Sequence, residues 1–393
     1  MRSWIAVIFL LLVAGNSMAQ EWSEKAHYDA YVKEDWKQVV KLGKLAKKSG
    51  ADYYYIRARN GYAQFQLKKF RKSEKEYEKA LKFNSANRDS KYYSYWASVF
   101  AGNEASALLK TTKMSSFEKD TFEVRKPKLL SGAGLLGGYR LSTSENLVGS
   151  MPYVSLFAKH EFGNRTSLTH GLSYLQQQRS AYFDVLSSDL LWQVGYLASL
   201  GIQVLEHTRI IPSFILQYWQ TPGYKVYDLG ATLAAKQDIG NFDVTLIGAY
   251  MQDSDSSKYI VGGSLEWYPL GNLNLYSRSS FSYVFGDGKN NPVAKQTLGG
   301  RIMKGFWLNT TITWNNELVS YEGESLGFTN NSIDRLKWRW GINPVYYPTN
   351  KLSISLTYSI ESRQFWRPIG SGTAEISSKY NYHSFYVGLN YNF

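Results

Sequence analysis

The sequence contains no cysteine, only five histidines and only nine prolines in 393 residues. Without cysteine there are no disulfides and no thiolate metal ligands, so the chain must be stable by packing alone. The histidines and carboxylates show no metal-ligand spacing, and no metal or other cofactor is expected. A hydrolytic triad is equally unmarked. His383 and Ser384 are adjacent, and His170 and Ser173 differ by an odd number, so on a strand each pair would face opposite sides. The expectation is that the protein is not an enzyme.

Long hydrophobic runs are missing too. The only one is at the start, "MRSWIAVIFLLLVAGNSMAQ", where Arg2, an apolar run and Ser17-Met18-Ala19 have the pattern of a cleavable secretory signal peptide over residues 1–19. No later stretch approaches the roughly 20 apolar residues of a transmembrane helix. What the chain does have is aromatic side chains, 16% of all residues with 31 Tyr and 12 Trp. Tyr and Trp concentrate where one end of a side chain is apolar and the other wet, as at a membrane interface.

The net charge of +13 is unevenly spread: residues 21–128 hold about 24 Lys/Arg against about 14 Asp/Glu, and the remainder is nearly neutral. The change falls at "EVRKPKLL", residues 123–130, and divides a basic part from an aromatic one.

In the basic part, "GYAQFQLKKFRKSEKEYEKALKFNSAN" (61–87) places Phe65, Phe70, Tyr77, Ala80 and Leu81 at helical spacing around a Lys68-Lys69 turn. Gly61, Phe70, Ser73, Tyr77 and Ala80 stand as in a tetratricopeptide repeat, whose period is 34 residues. Shifted back by one period, Phe70, Tyr77 and Ala80 fall on Trp36, Gly43 and Ala46, and shifted forward the turn falls on Gly102-Asn103. Three helix pairs over 20–116 are expected, followed by a linker at 117–128. Such an array presents a surface for a partner. Candidate contacts are Tyr55, Tyr62 and Phe65, with Lys44, Lys47 and Lys48 for an anionic partner such as a glycan, or otherwise a solvated outer face. Nucleic acid is not expected as a partner of an exported protein.

From residue 129 the periodicity becomes alternating. In "HSFYVGLNYNF", Phe385, Val387, Leu389, Tyr391 and Phe393 face one way and Ser384, Gly388, Asn390 and Asn392 the other. That alternation over about ten residues is the signature of a transmembrane β-strand. "KLSISLTYSI" (351–360), "LKWRWGI" (336–342) and "YIVGGSLEWY" (259–268) repeat it. Short links at 163–165, 206–208, 240–241, 269–272, 304–305 and 348–350 alternate with longer polar ones near 142–147, 176–188, 220–225, 252–258, 286–293, 318–331 and 367–379. The fold expected is therefore α+β in separate domains: a helical repeat array, then an antiparallel transmembrane β-barrel over 129–393 with about 14 strands, 12 being the alternative.

"SGAGLLGGYRL" (131–141) contains Gly132-x-Gly134-x-x-Gly137, the spacing of a dinucleotide-binding loop. It precedes a Ser/Thr/Asn loop and another alternating segment, not a helix. It reads as the first barrel strand, with glycines where neighbours approach closely. If Leu336, Trp338 and Trp340 face lipid, alternation places Arg335, Lys337 and Arg339 in the lumen, with Lys295, Arg301 and Arg278 on nearby strands. These cations either pair with Glu266, Asp228 or Asp243, or favour anions in a channel.

A leader, a few tetratricopeptide-like repeats and a barrel ending on Phe together resemble the YaiO-type family of outer-membrane proteins, on the motifs of 20–116 and 378–393. The architecture is also similar to exopolysaccharide export porins and to surface lipoprotein assembly modifiers. The resemblance implies a Gram-negative outer-membrane location and a periplasmic N-terminal domain. The surrounding lipid and the barrel assembly machinery are the implied partners, the latter reading Phe385, Tyr391 and Phe393. A role in export or assembly of a surface molecule such as a glycan is the leading expectation. A barrel hydrolase or acyltransferase, and a structural adaptor, are the alternatives.

Overall fold

The computed structural model describes residues 22–145, 148–180, 188–222, 224–253, 256–286, 291–315, 321–322, 325–326, 335–368 and 375–393. The expected leader lies outside them. The chain divides into two compact units, one ending at Ala97 and one spanning Ser98–Phe393.

The first unit is helical. Helices α1 (Glu24–Val32), α2 (Trp36–Lys48), α3 (Tyr54–Gln66), α4 (Phe70–Phe83) and α5 (Arg88–Phe100, crossing the division) are joined by short turns. Ser23 caps α1 by accepting from Ala26 N at 3.0 Å, and Asp35 caps α2 by accepting from Gln38 N at 3.0 Å. The turns Glu34, Lys68 and Gly102 have φ of 58°, 57° and 83°, and each stands 34 positions after the last. A residue in the left-handed region at the same place in three successive helix pairs is a structural period, and it matches the one read from the side chains.

Close packing depends on two glycines. A side chain at Gly43 would run into the Asn60 amide of α3, and a Cβ at Gly61 would lie 2.8 Å from the Tyr77 ring of α4. Ser73 donates its hydroxyl to Gly61 O at 2.8 Å and closes the second contact. Val39, Leu42, Ala46, Ile56, Ala63, Tyr77 and Ala80 are buried in this unit, and His27 is completely buried with them.

The second unit is a closed antiparallel barrel of fourteen strands. Around the ring, β1 (Gly132–Ser142) is followed by β2 (Met151–Phe162), β3 (Thr166–Ser180), β4 (Ser188–Leu205) and β5 (Thr208–Thr221). Next come β6 (Tyr224–Ile239), β7 (Phe242–Asp253), β8 (Ser256–Trp267), β9 (Leu275–Phe285), β10 (Asn291–Met303) and β11 (Phe306–Asn315). After a two-residue hairpin, β12 (Tyr321–Glu322) with β13 (Ser325–Leu326), the ring resumes with β14 (Arg335–Tyr346), β15 (Leu352–Pro368) and β16 (Glu375–Asn392). The hairpin touches β5 and β6, across the ring from β11 and β14. β16 pairs back onto β1 from Gly132↔Asn392 to Ser142↔Tyr382, so no strand edge is left open.

All six expected short links are found, the one after β8 extending over 268–274. Two links expected to be long are not. β5 runs to Thr221 before β6 starts at Tyr224, and β7 runs to Asp253 before β8 starts at Ser256. Polar residues end the apolar pattern there without ending the ladder, because backbone pairing does not depend on which side chains face out.

Residues 98–116, read from the sequence as the end of the repeats, and the linker 117–128 group with the barrel. Here α6 (Glu104–Lys110), a 3₁₀ turn (Thr111–Lys113) and α7 (Ser116–Thr121) meet its short-turn end. Asn103 donates to Asp238, Lys113 pairs with Glu206, and Asn164 donates to Thr111 Oγ1 at 2.7 Å. Arg125 makes a two-pronged bond to Glu161 at 2.8 and 2.9 Å.

Outside, the wall is apolar. Leu156, Leu172, Leu233, Leu246, Val261, Phe281, Leu298, Leu356 and Val387 are all exposed large side chains. A contiguous surface of this kind is incompatible with water and suited to hydrocarbon. Of the glycines of β1, Gly134 and Gly138 serve packing, whereas Gly137, expected to do the same, has open space at its Cβ position. Gly134 and Gly138 leave room for the side chains of Phe157 and Tyr386, which would collide with any Cβ there.

Candidate functional site in the barrel lumen

The inner wall has three parts. Near the end opposite the short turns, Glu361 of β15 is 3% exposed and gathers three guanidinium groups. Arg140 of β1 lies 2.7 Å away, Arg363 2.8 Å and Arg339 of β14 3.1 Å. Arg140 also rests on the Tyr382 ring at 4.4 Å, and Gln177 of β3 donates to Tyr382 Oη at 2.6 Å. Ionic and amide side chains thus tie β1, β3, β14, β15 and β16 together from the inside.

The second part is apolar. Ile211, Ile215, Ala234, Ile247, Met251, Ile260, Val284 and Val293 form one buried cluster on the inner faces of β5 to β10. Below it lies a second ionic knot, in which Lys236 reaches Glu266 at 3.2 Å and Asp243 at 3.4 Å. Arg278 donates from Nε to Glu266 at 2.6 Å.

The third part is a cavity of about 900 Å³ at the short-turn mouth. Tyr276, Arg278, Arg301, Lys304, Trp307, Asn309, Tyr347 and Asn350 are among its lining. Gly299 shapes it, because a Cβ there would overlap both the Tyr276 ring and Asn309. Tyr276 can therefore lie across β10 and donate to Asn309 Oδ1 at 2.8 Å. Asn309 in turn donates to Asn343 Oδ1 at 3.3 Å, and Asn343 to Thr357 Oγ1 at 2.7 Å, so the aromatic side of the cavity is held by a chain of amides.

Of the cations expected in the lumen, Arg278 and Arg339 are held by buried carboxylates, and Arg301 lines the mouth. Lys295 is half-buried opposite Thr313 and Ser280. The expected ladder of Arg335, Lys337 and Arg339 on one face does not form. A bulge between Leu336 and Trp338 inserts Lys337, which is exposed. Leu336 turns inward opposite Arg363 and is 4% exposed, while Arg335 pairs with Gln364 and its side chain lies outside those described. The extra residue puts Leu336 on the face that strict alternation from Arg339 gives to Lys337. The sequence reading missed Glu361, Arg140 and Arg363. The spacing Glu361-x-Arg363 continues the inward positions Ser353 to Ser359, so the alternation of that strand, extended past Ile360, marks two of them.

In the helical unit, Tyr62 meets Tyr31, Trp36 and Tyr93 at 5.2–5.7 Å, and Phe65 meets Phe70 and Tyr93 at 5.3 and 5.2 Å. Both rings are seams between helices. Tyr55 is exposed, as are Lys44 and Lys48, whereas Lys47 is bonded to Glu76 at 2.5 Å. Arg57 joins the same Glu76 at 2.9 Å and Asp52 at 2.5 Å, and its guanidinium holds the Asp52 carboxyl below its usual range. Phe385, Tyr391 and Phe393 all point outward from the last strand.

No protein family and no curated protein matches the sequence. Solved structures of similar fold include the P. putida toluene transporter TodX, 10% identical over 67% of this chain and 90% of that one, with a TM-score of 0.44. A Pseudomonas aeruginosa FadL homologue is 10% identical over 76% and 94%, with a TM-score of 0.45. The Acinetobacter baumannii outer membrane protein Omp33 is 12% identical over 67% and 99%, with a TM-score of 0.36.

Proposed function

We propose that this protein is a Gram-negative outer-membrane conduit whose periplasmic helices dock a partner, and that it serves the export or assembly of a surface glycan without catalysing a covalent step. The observation that carries this reading is the mouth cavity, an aromatic and cationic recess inside a closed barrel with an apolar belt. The mouth is on the side of the short turns, which in outer-membrane barrels is periplasmic. Cargo would then enter from the periplasm. The helix pairs with their 34-residue period are read as tetratricopeptide-type repeats of the YaiO kind, with an exported leader before them.

The reading is tested by conductance of the purified protein in a planar bilayer. Discrete openings with a reversal potential shifted toward anions are expected, since unpaired cations in a narrow lumen set ion preference. A silent protein overturns the conduit.

A second reading has its own support. Tyr382, Gln177, Gln193, Gln217 and Ile215 face inward and are less than 2% exposed, so much of the inner wall is packed against other groups. A barrel occluded in this way would act as an outer-membrane adaptor that anchors the helical unit. The same bilayer measurement separates the two.

A further inference from the structure

We infer that the mouth cavity is a binding site for an acidic saccharide, a pyranose chain carrying carboxylates, and that Arg301, Lys304 and Trp307 are its recognition residues. The inference deepens the conduit reading and rests on the lumen being reached from the short-turn side.

Charge comes first. Arg278 and Lys236 are spent on Glu266 and Asp243, so that knot contributes little field. Among the described residues the Arg301 side chain bonds to a backbone carbonyl alone, donating from Nε to Met303 O at 3.4 Å. Lys304 stands in the turn between β10 and β11, and among the described residues neither cation has a carboxylate partner. Two uncompensated cations line the same recess. A guanidinium with free terminal N–H groups matches a carboxylate in two-pronged geometry, and a lysine beside it adds a point charge.

Shape and chemistry then narrow the class. Tyr276 and Trp307 are half-buried and Tyr347 is exposed, all three lining the recess. Flat rings with a polar edge take up the C–H faces of a sugar while leaving its hydroxyls free. The amides of Asn309 and Asn350 offer both donors and acceptors for those hydroxyls. An apolar ligand would leave both cations desolvated and unpaired, and a bare inorganic anion would use neither the rings nor the amides. The volume of about 900 Å³ suits a few sugar units and not a single ion.

The test is calorimetric titration of the full-length protein in detergent with a β-1,4-linked glucuronate trimer and with its neutral counterpart, cellotriose. Glucuronate should bind at least about tenfold more tightly, and added salt should weaken it. The double variant Arg301→Gln/Lys304→Gln should lose about tenfold for glucuronate and leave cellotriose unchanged, while Trp307→Leu should weaken both. Lys304 lies in an exposed turn, so Lys304→Gln alone gives the charge effect in a barrel that still folds, as checked by its heat-dependent gel mobility. Equal binding of the two trimers, glucuronate affinity unaltered in the double variant, or sulfate binding as tightly as glucuronate overturns the inference. Bilayer conductance on the same preparation keeps the two readings apart: a conducting protein that does not bind loses only the site, and a binding protein that does not conduct loses only the conduit.

Discussion

Arg140 and Glu361 stand 221 positions apart in the chain and meet at 2.7 Å inside the barrel, each about 95% shielded from solvent. They belong to β1 and β15, which are not neighbours, so the bond reaches over the inner face of β16. Three guanidiniums share the one carboxylate, and its removal would leave them buried without compensation.

Replacing Glu361 by Gln should therefore destabilise the barrel by about 3 kcal/mol, the lower end of what breaking a buried ion pair costs. The temperature at which the folded gel band converts to the unfolded one should fall accordingly. Arg339→Gln should show the same sign with a smaller effect, because Arg140 and Arg363 remain. An Arg339→Gln protein with unaltered stability and altered ion preference would make Arg339 a pore residue instead.

Gly138→Ala should impair closure, since the new Cβ would overlap Phe385 O, a backbone atom, as well as the Tyr386 ring. Backbone cannot yield as a side chain can, and the expected loss is about 1–3 kcal/mol. Gly137→Ala, on the same strand with open space at its Cβ, is the control and should be nearly neutral. Comparable assembly yields for the two variants would contradict this packing account.

Gly61→Ala should loosen the helical unit. Its Cβ would press on Tyr77 at 2.8 Å, in the seam where Ser73 already holds the backbone of α3. A loss of about 1–3 kcal/mol is expected, read as earlier melting of the helical circular-dichroism signal. A barrel that still shifts on gels in the usual way would confirm that the damage is local.

The helical unit should also weaken in mild acid. Burial pushes the His27 imidazole below its usual range, and the nearby Asn60 side chain opposes that shift only in part. A histidine kept neutral in the folded state takes its proton more readily when unfolded. Stability is then complete above the unfolded value of about 6.5 and falls as pH drops below it, levelling off only where the buried ring itself protonates. Melting at pH 7.5 and 5.5 should show the loss, and His27→Leu should remove most of the difference. If both proteins respond to pH alike, other groups are responsible.

Much of this architecture is legible in the chain. Period-2 alternation in 384–393 and 351–360 is imposed by a wall with hydrocarbon on one side, and both strands face as the pattern says. Left-handed backbone recurs at Glu34, Lys68 and Gly102, the spacing of 34 positions that the side chains suggest. The bulge at Lys337 could not be read, since Arg335, Lys337 and Arg339 alternate perfectly as letters. Nor could the grouping of 98–128 with the barrel, which rests on partners such as Glu161, Glu206 and Asp238 far along the sequence. The mouth cavity is half legible: alternation points to Arg278 and Arg301, whereas Lys304 stands in a turn, where alternation says nothing.

The seam between β1 and β16 has a consequence for biogenesis. A chain stopped before β16 would hold fourteen-strand geometry in all but its last member, with β1 and β15 both left as naked edges in a medium that offers no water to cover them. Closure is thus a check on completeness. In a prematurely ended product Arg140 and Glu361, spaced to reach over β16, would have no strand between them to cross.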